Sequence, residues 1–187
     1  MHYQQLNKLR LQLSARQIKV SDALLLLLRF LRPSLPHERL AWLNRELLGY
    51  GKEDLEAFYD KPRLGNLYSI FQPPKRSQLK MKIPHYRFLI GTWGRLDAGG
   101  KFIAVTDANL VEKSIFCNIG IQQIETQLEE IEAPLTSLFS MSFDEETGAE
   151  FYCRSKELLR IYEAVRYKLV EFIETVIDEL ELAPNER

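Results

Sequence analysis

The order of periodic segments in this chain predicts an α+β domain, mostly helical, with N-terminal helices, a small antiparallel sheet in the middle and a long C-terminal helix. Three observations carry that expectation. Leucines recur at helical spacing as far as Tyr50. Runs rich in aromatic and β-branched residues between Tyr86 and Cys117 are separated by a glycine turn. Leu158, Tyr162, Val165, Leu169, Phe172 and Val176 then follow at spacings of 4, 3, 4, 3 and 4. A chain of 187 residues suffices for one domain, 1–187, burying about 70% of its unfolded surface.

Leu6, Leu9 and Leu13 share one face of a short first helix. Ser21 or Asp22 is placed to cap a second helix through Ala23–Leu31, apolar all round and therefore expected at the centre of the core. Pro33 ends it, because the residue before a proline is pushed out of the helical region. Pro36 and Glu38 suit the first turn of a third helix carrying Leu40, Leu43 and Leu47, and Gly49 stops it. Lys52 to Tyr59 is read as a helical turn or two. From Lys61 to Lys82 no period is sustained, and Pro62, Gly65, Pro73 and Pro74 mark a long loop. Tyr86–Ile90, Phe102–Val105 and Ser114–Cys117 read as strands, with Asp97-Ala98-Gly99-Gly100 as a turn. Ile121, Ile124, Leu128 and Ile131 mark an amphipathic helix, and Ser137–Phe143 a strand or an extended loop. The closing helix spans roughly 28 residues, about 42 Å at 1.5 Å per residue.

Charge is sorted along the chain. Lys61 to Leu96 holds eight Lys/Arg and no Asp or Glu, whereas Glu125 to Arg187 holds sixteen Asp/Glu and six Lys/Arg, a net of −10. The whole chain nets only −1, so the composition alone hides this asymmetry. Two cysteines, Cys117 and Cys153, make no disulfide framework and have no metal-ligand spacing. They are read as buried thiols of a reducing compartment. No secretory signal opens the chain, and the longest apolar run falls short of the roughly 20 residues a spanning helix needs. The expectation is a cytoplasmic protein with no membrane partner.

No motif assembles an active site in the sequence. Arg32-Pro33-Ser34-Leu35-Pro36-His37 resembles the Arg-x4-His pattern of HEPN ribonucleases, but two prolines prevent the helical geometry that pattern requires. His85 stands alone, and with three histidines in all a histidine metal site would need strong help from carboxylates. Gly91-Thr92-Trp93-Gly94 lacks the Gly-Lys-Ser/Thr of a phosphate cradle. No Gly-x-Ser-x-Gly elbow is present. No catalytic, metal or cofactor residues are therefore assigned.

Two candidate surfaces remain. Lys75, Arg76, Lys80, Lys82, Arg87 and Arg95 are interleaved with aromatics in a way that suits phosphates and unpaired bases. Pairing of this segment with the acidic C-terminal half, within the chain or between subunits, is the preferred reading. The heptad-like stripe through Leu169, Phe172 and Val176 is either core-facing or an oligomer seam.

Leu24–Leu31 and Leu40-Ala41-Trp42-Leu43-Asn44-Arg45-Glu46-Leu47-Leu48-Gly49-Tyr50 resemble the N-terminal helices of AbiTii-type proteins. Ile83-Pro84-His85-Tyr86-Arg87 matches that family's Pro-x-Tyr-Arg step. Ile119–Leu128 resembles its middle helix and Ala164–Phe172 its closing one. A basic, Pro-containing loop at about 57–82 departs from the family pattern as an insertion. The resemblance implies association with bacterial antiphage (abortive infection) defence and brings no catalytic residues, so the expectation is a non-enzymatic interaction or effector module. The charge asymmetry and the C-terminal stripe add the expectation of a homo-oligomer or a protein partner. The alternative is a nucleic-acid-binding protein using the basic segment 61–95, followed by a nuclease built on Arg32 and His37.

Overall fold

The computed structural model describes residues 2–51, 54, 84–105, 114–130, 138–145 and 147–182. The expected turn at Lys52–Tyr59, apart from Asp54, and the basic loop with Lys75, Arg76, Lys80 and Lys82 lie outside the described residues.

The leucine spacing becomes three helices. α1 (His2–Ser14) buries Leu6, Leu9 and Leu13. α2 (Val20–Leu31) buries Val20, Ala23, Leu24, Leu27, Leu28 and Leu31. It is central but not enclosed, because Leu25 is 46% exposed. The cap expected from Ser21 or Asp22 is corrected as well. The helix begins at Val20, and Lys19 before it makes no side-chain cap bond. The orphan amide of Ser21 is met instead by Glu125 of α4 (Ile121–Glu130), at 3.1 Å, and the same carboxylate accepts the Ser21 hydroxyl. A negative charge from a distant helix thus sits at the positive end of α2. α3 (His37–Leu48) starts one residue after Pro36 and ends at Gly49, whose φ of 101° suits glycine alone.

The sheet is antiparallel throughout. It comprises β1 (Phe88–Leu96), β2 (Phe102–Ala104), β3 (Ser114–Phe116), β4 (Leu138–Asp144) and β5 (Ala149–Arg154). The order is β2–β1–β5–β4, and β3 pairs with the first residues of β1, Phe88 opposite Phe116. Two expectations change. Tyr86 and Arg87 belong to a 3-10 turn, His85–Arg87, and β1 runs on through Gly91–Gly94. β5 was not anticipated, yet it lies between β1 and β4, with Trp93 opposite Phe151. Strand alternation sends Leu89, Phe151 and Cys153 into the core, while Ile90 and Thr92 stay exposed on the other face.

α5 (Ser155–Leu182) has the expected 28 residues. It buries Leu158, Ile161, Val165, Leu169, Ile173 and Val176. α1 runs antiparallel to it, with Arg10 bound to Glu174 at 2.9 Å and Arg16 to Glu163 at 3.2 Å. Arg39 reaches Glu179 at 2.6 Å, and Lys19 reaches Glu129 on α4 at 2.6 Å. The acidic half therefore meets the N-terminal helices, where Met1 to Tyr50 carries eight Lys/Arg against three Asp/Glu. Among the described residues, the basic segment supplies none of its ion-pair partners. The residues of the candidate seam have partners within the chain, and Phe172 is only half-buried. Leu169 and Val176 are buried against the chain's own helices, and Phe172 packs on the Trp42 ring at 6.0 Å. No described helix is long and apolar enough to cross a membrane.

Candidate functional site

The most polar point of the interior is built by three segments remote in sequence. Glu46 lies in the last turn of α3, on the same helical face as Leu43 and Leu47. Arg87 closes the 3-10 turn that feeds β1. Both side chains are fully buried and form an ion pair, with Arg87 Nε donating to Glu46 Oε2 at 3.1 Å. Arg87 also donates to the Ile119 carbonyl at 2.7 Å, in the loop before α4. The other carboxylate oxygen, Oε1, accepts the hydroxyls of Tyr50 at 2.6 Å and Tyr86 at 2.8 Å. Trp42 Nε1 donates in turn to the Tyr86 oxygen at 3.1 Å. The Tyr50 ring lies 5.4 Å from the guanidinium, in cation–π range.

This network is satisfied from every side. Burial, then the neighbouring Glu46 charge, push both tyrosine hydroxyls far above their ordinary range, so they stay protonated as donors. Gly49 and Gly120 let the end of α3 press against the loop before α4: Tyr50 N–H donates to the Asn118 carbonyl at 2.8 Å, and a Cβ on Gly49 would stand 2.5 Å from that same oxygen. Glu46, with its donors already committed, is placed to lock three segments together rather than to accept a proton from a substrate.

A cleft of about 500 Å³ opens on the other face of the sheet. Its lining includes Ile90 and Thr92 from β1, Phe102 from β2, Tyr152 and Arg154 from β5, and Lys156 from the first turn of α5. It sits where β5 leaves the sheet and α5 begins. There the backbone of β1 and of the turn before it is met by side chains: Ile90 N–H donates to Glu157, and Arg160 donates to the carbonyls of Tyr86 and Phe88. Tyr152 stands edge-on to Phe102 at 5.3 Å, and its hydroxyl donates to Glu150 at 2.6 Å.

Among the described residues, the sequence-derived candidates lie in different elements. Arg87 is withdrawn as a phosphate-binding residue, because it is buried against Glu46. Arg95 remains exposed at the end of β1. Arg32 and His37 are exposed at the turn between α2 and α3. His85 is exposed, its ring 6.5 Å from that of Phe88. Among the described residues, no group of three His, Cys, Asp or Glu is placed to hold a metal ion. Sequence reasoning missed Phe102, Tyr152, Arg154 and Lys156. The only local signal was the Phe151-Tyr152-Cys153 run after Gly148, a short strand signature.

Comparison of the chain with protein-family models, with curated proteins and with solved structures gives no match.

Proposed function

We propose that this protein is a non-enzymatic interaction or effector module of the AbiTii type, acting in bacterial antiphage defence. One observation supports the reading. Of the residues that carry the resemblance, Trp42, Glu46, Gly49, Tyr50, Tyr86 and Arg87 are scattered over the sequence yet meet in one buried network or at its edge, and Pro84 opens the turn that carries Tyr86 and Arg87. A signature that folds into one fixed feature is what a shared fold requires, and its role is architectural. Function then lies on the surface this network holds in place. The nucleic-acid alternative keeps Arg95 and the loop cations but loses Arg87.

The test is infection of a bacterial culture expressing the chain with a panel of phages. The expected result is a fall of at least ~10-fold in plaque number for some phages. Equal plating with and without the chain across the panel refutes the defence assignment. Tight single-stranded RNA binding that weakens steeply with salt, and is lost in Arg95→Glu, replaces it with the nucleic-acid reading.

A further inference from the structure

The cleft above the β1–β5 junction has a composition that selects a ligand. Its body is apolar and aromatic, from Ile90, Phe102 and the Tyr152 ring. Its cations are Arg154 and Lys156, both exposed and, among the described residues, without an acidic partner. Glu157 also lines the cleft but is engaged with Ile90 N–H and Arg160, and nearby Glu150 holds the Tyr152 hydroxyl. The positive charge facing the cleft is thus left for an incoming anion. Thr92 adds one hydroxyl at the wall. The volume of about 500 Å³ lies in the range of pockets for small ligands, about 300–1,000 Å³.

We infer that this cleft binds a small anion with a planar apolar body, of the class of a nucleoside monophosphate, with the phosphate on Arg154 and Lys156 and the base between Ile90 and Phe102. A peptide strand fits less well. Strand addition needs free backbone groups, and those of β1 at this point are taken by Glu157 and Arg160. A long single strand of nucleic acid needs a track of cations, whereas two line this cleft. The site stands independently of the defence reading, and either can fail alone.

The test is calorimetric titration of the whole protein with adenosine 5′-monophosphate and its guanosine, cytidine and uridine counterparts. Adenosine, inorganic phosphate and an acidic hexapeptide are titrated alongside. At least one nucleotide is expected to bind with a dissociation constant of ~10–100 μM, which a ligand of this size reaches at ordinary efficiency. Adenosine or phosphate alone should bind at least ~10-fold more weakly, since each engages half of the site. Lys156→Glu and Arg154→Glu should each weaken the nucleotide at least ~10-fold by placing like charge beside the phosphate. Thr92→Trp should fill the cleft and abolish binding. Circular dichroism checks that each variant is folded. If Thr92→Trp does not fold, the charge reversals, on exposed side chains, decide the matter. Absence of binding by all four nucleotides at millimolar concentration overturns the inference. So does unchanged affinity in both charge variants, or tighter binding of the hexapeptide than of any nucleotide.

Discussion

Arg87→Met strips the buried Glu46 carboxylate of its counter-charge while keeping much of the side-chain volume. In the native protein both groups are fully buried. The variant leaves Glu46 with the Tyr50 and Tyr86 hydroxyls on Oε1 and nothing on Oε2, and deprives the Ile119 carbonyl of its donor. Removing one partner of a buried pair costs about 3–5 kcal/mol, because the remaining charge is uncompensated. A domain of this kind has about 5–15 kcal/mol in all. With a urea slope of about 2 kcal/mol/M, the midpoint should fall by roughly 2 M. Urea titration followed by tryptophan fluorescence suits the measurement, since Trp42 belongs to the network. Glu46→Gln added to Arg87→Met removes the stranded charge and keeps an oxygen for the two tyrosines. The double variant should therefore recover at least ~1 kcal/mol. A loss below ~1 kcal/mol in Arg87→Met, or a double variant less stable than the single, refutes the account of this network.

Gly49→Ala should destabilise by about 2 kcal/mol or more, from a positive φ and a Cβ driven against the Asn118 carbonyl; thermal melts read it directly. Leu169→Ala should cost about 2–5 kcal/mol as a cavity in the core. Its effect should not vary with protein concentration, whereas a residue at a subunit seam would make it do so. Raising the pH should destabilise the protein. Burial pushes the Cys153 thiol up to about 12 and raises Tyr50 and Tyr86, so the folded state retains protons that the unfolded chain releases. Stability should decline from about pH 9 and more steeply beyond about pH 10, and a plateau in urea midpoints from pH 8 to 11 would contradict this. Cys117 and Cys153, both buried, should resist a thiol reagent at pH 8 until denaturant is added.

The helices were legible because their periods are long. Twenty-eight residues of α5 repeat one spacing often enough to fix both type and length. β5 was not, because Phe151-Tyr152-Cys153 is short and continuously apolar, with no alternation to mark it. Ser21 looks like a helix cap, and only the fold reveals that Glu125, 104 positions away, meets its amide. The same limit applies to Arg87. A basic run in a sequence does not say which of its cations is turned inward, and a carboxylate 41 positions earlier decided it. The cleft was invisible for a related reason. Its residues come from β1, β2, β5 and α5, and none is unusual where it stands in the chain.

The pairing of the first described helix with the last has a consequence for synthesis. Arg10 and Glu174 are 164 positions apart. A ribosome adding about 5–20 residues per second delivers the second roughly 10–30 s after the first. Over that interval Leu6, Leu9 and Leu13 lack α5, the helix against which α1 chiefly packs. The N-terminal helices must either pack provisionally on one another or be held by a chaperone. Net positive charge in that leading segment keeps nascent copies apart until the acidic helix emerges and neutralises it.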